Sequence, residues 1–192
     1  MYMNIDGVLH KLLGTRGSWG WELDARKIPW LVFKYVCLFQ PVADAALPAA
    51  DYSGFVTPIA VNKANTPTFT VDGYAAVMQS WHGSVNNDVK YRNLVNYEGV
   101  DNVDRSPSGS VDFEMTSVAT KDWIAMARNK TKFPIDCVHG IVAGNIIQIQ
   151  TPYATLGKPK YGEKDGILMI KGELDYMPNG TAGNNELSLT AR

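Results

Sequence analysis

Apolar and polar residues alternate with a period of two through the last part of the chain, residues 143–192. Leu168, Ile170, Leu174 and Tyr176, with the small Gly172 among them, fall on one face of a segment over 166–176. Met169, Lys171, Glu173 and Asp175 fall on the other, which is the pattern of a strand with one solvated face. Leu187 and Leu189 continue the alternation, opposite Glu186, Ser188 and Thr190. The intervening 178–184 stretch is rich in Gly and Asn, which accept positive φ, so the two segments are predicted to pair as a hairpin. Upstream, 145–151 and 152–162 read as two further strands.

From the start of the chain, Asp6-Gly7 signals a turn into a strand over 8–13, and 14–17 turns the chain again. In 18–24, Trp19, Trp21 and Leu23 share one face, a core pattern. Residues 29–39 are nearly continuously apolar, which predicts a strand covered on both faces. Segment 40–66 differs: Pro41, Pro48 and Pro58 punctuate an Ala-rich run without periodicity, so it reads as a long loop. Asp72-Gly73, flanked by apolar runs at 68–71 and 74–81, is the strongest hairpin signal. Weaker strands follow at 84–92 and 96–103. At 110–115, Val111, Phe113 and Met115 alternate with Asp112 and Glu114 on a polar face.

One helix is predicted over 120–129, capped by Thr120, with Asp122 in its first turn and Ala119, Trp123, Met126 and Ala127 as its apolar stripe. Pro134 ends it, and a strand over 135–142 leads to the Gly144-Asn145 turn. About ten strands and a single helix predict an all-β fold, a β-sandwich or β-barrel with one flanking α-helix. The expected organisation is a single β domain over 1–192 with the long loop at 40–66. Trp21, Phe33, Phe113, Trp123, Ile147, Ile170 and Leu189 are its predicted core.

Composition narrows the function. A net charge of −1 over 192 residues, with no Lys/Arg run, argues against tight nucleic-acid binding. Cys37 and Cys137 both sit in apolar runs and read as buried free thiols, with a Cys37–Cys137 disulfide left open. The opening residues lack a basic start and an apolar core, and the longest apolar run, 28–39, is broken by Lys34. A protein made in a reducing compartment, with no membrane partner, is the expectation.

The search for chemistry returns little. Cys137 and His139 share a strand face, but no second close pair completes a zinc site, so a core cysteine beside a hydrogen-bonded histidine is expected. Asp101 and Asp104 lack the spacing of a calcium loop. Asp112, Glu114 and Asp122 are carboxylates without an implied pocket. Neither a nucleophile elbow nor a P-loop is present. The sequons Asn129-Lys-Thr131 and Asn179-Gly-Thr181 read as turn residues. The expectation is a non-enzyme with no catalytic residue, no metal and no cofactor.

Several segments carry a resemblance. Ala143-Gly-Asn-Ile-Ile-Gln-Ile-Gln-Thr-Pro152, Lys158-Pro-Lys-Tyr-Gly162, Asp165-Gly-Ile167 and Gly183-Asn-Asn-Glu-Leu187 resemble the C-terminal part of tailed-bacteriophage tail tube (major tail) proteins. Asp6-Gly7, Gly14-Thr-Arg-Gly17, Lys27-Ile-Pro29 and the strand to Phe39 are similar to the approach to that domain. The resemblance implies a structural virion protein, made in the host cytoplasm and located in the virion tail. Its protomers form homo-oligomeric, hexameric rings that stack into a tube and contact other tail proteins. DNA only passes through, without specific binding. A near-neutral chain suits a wall that must not grip phosphates. In the long loop, Pro41, Leu47, Pro48, Tyr52, Phe55 and Pro58 are the candidate self-assembly contacts, because they are apolar in a segment without strand alternation. Three other readings stay open: a tail terminator, baseplate or head-decoration protein; a carbohydrate-binding β-sandwich using Trp19, Trp21, Trp30 or Trp81 as a stacking platform; and an all-β enzyme, which would need clustered carboxylates or a histidine-containing cleft.

Overall fold

The computed structural model describes residues 1–180 and 183–192, so Thr181 of the second sequon and the middle of the 178–184 turn lie outside the described residues. The first strands are β1 (Tyr2–Ile5), β2 (Val8–Lys11), β3 (Leu13–Asp24), β4 (Trp30–Leu38) and β5 (Ala43–Asp44). Then come β6 (Thr68–Val71), β7 (Tyr74–Ala75), β8 (Met78–Ser84), β9 (Asn87–Leu94), β10 (Tyr97–Arg105) and β11 (Ser108–Glu114). The helix α1 (Trp123–Arg128) precedes β12 (Phe133–His139), β13 (Ile147–Lys164), β14 (Ile167–Met177) and β15 (Ser188–Ala191). The protein is therefore all-β with one short helix.

Three sheets form. β1, β2 and β5 make a three-stranded sheet, and β9 and β10 make a two-stranded one. The third has ten strands in the order β4-β3-β8-β11-β14-β13-β12-β6-β7, with β15 also on β13. The chain divides into two compact units. The first holds Met1–Trp19, Phe33–Phe55 and Val85–Ser106, the second Gly20–Val32, Val56–Ser84 and Pro107–Arg192.

The second unit holds the aromatic core. Four strands separate β8 from β6 in the sheet order, yet the rings of Trp81 and Phe69 lie 5.9 Å apart. The sheet thus folds over on itself in a sandwich-like arrangement. Trp21 packs edge-on to Trp81 at 5.1 Å and against Tyr176 at 5.7 Å. A second cluster sets Phe113 edge-on to Trp123 at 4.9 Å, with Tyr74 6.0 Å from Trp123. Asp72 and Gly73 both take positive φ, which fits a type I′ turn, and join β6 to β7.

Several expectations need correction. The run 74–81 breaks into β7 and β8, and β8 pairs with β11 and β3 instead of continuing the hairpin. The two strands expected at 145–151 and 152–162 are one, β13, running through Pro152 and interrupted by an irregularity between Gly157 and Lys160, where Lys158 has positive φ. Residues 14–17 lie inside β3 and make no separate turn. The last strand pairs with β13, not with β14: Ile149 faces Leu189 on one side and Cys137 on the other. Helix α1 is shorter than expected and is capped by Asp122, whose Oδ1 accepts from the Ala125 N–H at 2.8 Å; Thr120 lies in the preceding turn.

Trp21, Phe113, Trp123 and Ile170 are buried as expected, and Ile147 is half-buried. Phe33 and Leu189 are not core: they are 51% and 39% exposed, because β4 ends the sheet and β15 flanks it. Along β14 the predicted phase holds from Ile170 to Tyr176, but Leu168 is exposed and Met169 is buried on the opposite face. Asp112 is buried too, since its central strand places it between Ser80 and Lys171 of the two neighbours.

Candidate functional site

The first unit lacks what the second has in abundance. Of its apolar side chains only Val85 and Val100 are buried, while Tyr2, Ile5, Phe33, Tyr35, Leu47, Tyr52, Phe55 and Val95 stand in water. Apolar strand residues are expected to gain a cover, roughly 1.5–3 kcal/mol for each large side chain fully buried.

Strand β4, which runs from the second unit (Trp30–Val32) into the first (Phe33–Leu38), is the sharpest case. Its apolar run implied cover on both faces; instead most of it is exposed, with Trp30 at 65%. Within the first unit, the rings of Phe33 and Tyr35 stack at 6.1 Å, nearly parallel. Tyr35 lies flat on the neighbouring strand because position 17 is glycine: a Cβ there would meet the Tyr35 ring at 2.6 Å and the Lys34 carbonyl oxygen at 2.3 Å. Edge strands are usually blunted by Pro, bulges or several charges; from Trp30 to Leu38 the only charge is Lys34.

The 40–66 segment divides. Residues 57–66 are tied down in the second unit, where Val61 is buried and its backbone bonds to Lys27 and Arg26. In the first unit, β5 pairs with β2, and Asn4 donates to the carbonyls of Ala45 and Ala46. Of the candidate contacts, Pro41, just before β5, and Leu47, Pro48, Tyr52 and Phe55, between these anchors, are all exposed, as is Pro58 in the second unit. A turn closed by Phe55 N–H to Tyr52 C=O at 3.0 Å presents the two rings 5.7 Å apart.

The β9–β10 hairpin is a third exposed element of the first unit, and its apolar tip was not anticipated. Leu94 and Val95 stand out at the turn, where Asn96 takes positive φ. Its base is fixed by Asn87, which donates through its backbone N–H to Ser18 Oγ and through its side-chain amide to the Gly17 carbonyl. Asp101 accepts from the Tyr97 hydroxyl at 2.7 Å and from Arg92 at 3.1 Å, and these bonds hold its carboxyl below the ordinary carboxylate range. Such a two-stranded ribbon is marginal alone in water.

Residues that could carry chemistry are engaged elsewhere. His139 Nε2 faces the Ile59 carbonyl at 3.1 Å and must therefore donate, so in the neutral ring Nδ1 accepts from Thr66 Oγ1 at 2.9 Å. Desolvation holds that ring below the usual imidazole range, while burial, with some help from Asp136, pushes the Cys137 thiol up to about 12. Both cysteines are free thiols. Among the described residues no group of three His, Cys, Asp or Glu could hold a metal ion. Asp112 pairs with Lys171 and Asp122 caps α1, so the predicted carboxylates are not assembled into one site. A cavity of about 60 Å³, lined by Trp21, Leu23, Trp30, Cys137, His139 and Ile149 among others, has room for a few waters. Trp21 and Trp81 are fully buried, which leaves Trp30 without them on any stacking platform.

Among the described residues no helix is long and apolar enough to cross a membrane. No protein-family model matches the chain, and no curated protein matches it.

Proposed function

We propose that this chain is a self-assembling structural protomer of the tail-tube kind, a virion protein whose copies form stacked rings through which DNA passes. Its role is architectural and not enzymatic. The observation that carries the reading is the apolar surface of the first unit, where edge strand β4, the Tyr52–Phe55 turn and the β9–β10 tip lack cover.

Magnitudes support it. The chain exposes 12035 Å² at 21.1 kDa, where folded monomers of that mass expose about 9,000 Å². The excess, about 3,000 Å², equals three or four faces of a standard interface at roughly 800 Å² per partner. A ring member that also stacks has neighbours on two sides, above and below. Within this reading the protein resides in the virion tail after synthesis in the host cytoplasm. Its neighbours are its own copies and other tail proteins, and the near-zero net charge lets DNA slide without being held.

Sedimentation and light scattering against concentration, with electron micrographs of the concentrated protein, test the proposal. Open-ended tubes or ring stacks are expected. Single closed rings would move the assignment to a terminator, and a chain that stays monomeric at high concentration would sink it.

A further inference from the structure

Two strand edges fit one another between copies: β10, in the first unit, and β4, whose Phe33–Leu38 part lies in the first unit and whose Trp30–Val32 part lies in the second. We propose that the free edge of β4 in one copy pairs antiparallel with the free edge of β10 in the next, with Lys34 set directly opposite Asp101. The proposal rests on the self-assembly reading and names the contact that carries it.

Both strands are nine residues long, Trp30–Leu38 and Tyr97–Arg105, and among the described residues each has a strand neighbour on one side only. Lys34 is the middle residue of the first and Asp101 the middle residue of the second, so pairing the strands about their centres, ahead of the irregularity between Asn102 and Asp104, brings the two charges face to face. The ladder phases also agree. The Lys34 carbonyl oxygen lies where a Cβ on Gly17 would be, so its backbone polar groups point inward at β3. The two-residue turn makes Leu94↔Tyr97 the closing pair of the hairpin. Alternation from that pair turns the backbone of Asp101, opposite Lys90, inward at β9. Outward-facing groups are then those of Phe33 and Tyr35 on one strand and Val100 and Asn102 on the other, and these meet as hydrogen-bonded pairs.

The charge decides between partners. A second β4 would place Lys34 against Lys34 at the centre, and like charges directly opposite destabilise a pair. Strand β10 carries Glu98, Asp101 and Asp104. Asp101 already serves Tyr97 and Arg92 with one oxygen each, and each oxygen has a second lone pair for the ammonium. Pairing two different edges is heterologous, so it propagates around a ring or along a filament instead of stopping at a dimer.

The test is a charge exchange in the full chain, read by sedimentation velocity. Lys34→Asp and Asp101→Lys singly should each raise the concentration for half-assembly about tenfold or more, and together should return it to near the wild-type value. Because Asp101→Lys also disturbs Tyr97 and Arg92, a second measurement stands beside it. In a Cys37→Ser background, Lys34→Cys protein mixed with Asp101→Cys protein should form a disulfide between copies on oxidation. Wild-type assembly that ignores the charge pair, or Lys34→Cys protein that cross-links to itself instead, would overturn this contact alone. A wild-type chain that remains monomeric would overturn the self-assembly reading with it.

Discussion

The indole N–H of Trp81 donates to the hydroxyl of Tyr176 at 3.0 Å in a site from which both side chains exclude water. The two residues sit on β8 and β14, which flank β11, so this bond spans the central strand on the core face. Tyr176→Phe keeps the ring and removes the acceptor, leaving a buried donor unpaired. It should cost about 1–3 kcal/mol of unfolding free energy. Urea midpoints for the two proteins measure it; equal midpoints would mean that water or another group takes the N–H.

Cys137 sets a limit at high pH. Its thiol is pushed up to about 12 in the fold and ionises near 9.0 when released. The folded pKa is raised, so this contribution is fully present below about 9 and is lost as pH rises toward 12. Where the unfolded thiol is ionised, the loss approaches about 1.4 kcal/mol per pH unit. Cys137→Ala should be less stable at pH 7 but should show a shallower decline between pH 9 and 11. Parallel declines would remove Cys137 from the account.

Phe113 and Phe33 separate folding from assembly. Phe113 is buried against Trp123, and Phe113→Ala should cost about 3–5 kcal/mol. Phe33→Ser, on the exposed edge strand, should leave the thermal midpoint of the monomer nearly unchanged and weaken self-association. Strong destabilisation of the monomer by Phe33→Ser would show that β4 is already covered within one chain.

The helix cap makes a smaller, cleaner comparison. Asp122→Ala should lose about 1 kcal/mol, in the range 0.5–2, whereas Thr120→Ala should lose less. The reverse order in chemical denaturation would move the helix start back to Thr120.

The aromatic turn in the first unit can be tested without damage to its anchors. Deleting 43–54 would remove β5 and the carbonyls that Asn4 bonds, so substitution is the better probe. Leu47→Ser, Tyr52→Ser and Phe55→Ser combined should keep the circular dichroism spectrum and lower assembly. Unchanged assembly would clear the turn and leave the strand edges as the contact.

How much of this could be read from the chain alone depends on how local the cause is. The Asp72-Gly73 turn was legible because positive φ at two successive residues restricts the choice to a few residue types. The phase of Ile170 to Tyr176 was legible because the strand has one buried face there. The turn-rich 178–184 stretch points β15 at β14, because its pairing with β13 is a distant event that no turn residue encodes. Asp122 and Thr120 are both competent caps, and sequence pattern does not rank them. Strand β4 holds the most instructive error. An apolar run states that a segment is to be covered, and it is silent on whether the cover comes from the same chain or another. The candidate loop contacts were readable as apolar residues out of phase with any strand, but Leu94-Val95 falls in the gap between the strands expected at 84–92 and 96–103, where the pattern assigns it nothing.

Strand β13 has a mechanical consequence. It runs 18 residues, roughly 60 Å of contour, with β12 and β15 bonded to opposite edges of its first part and β14 along its remainder. A pull along its axis cannot peel bonds away singly; it must slide whole ladders past one another at once. Such a strand acts as a tie-rod, stiff in tension because many weak bonds share the load together.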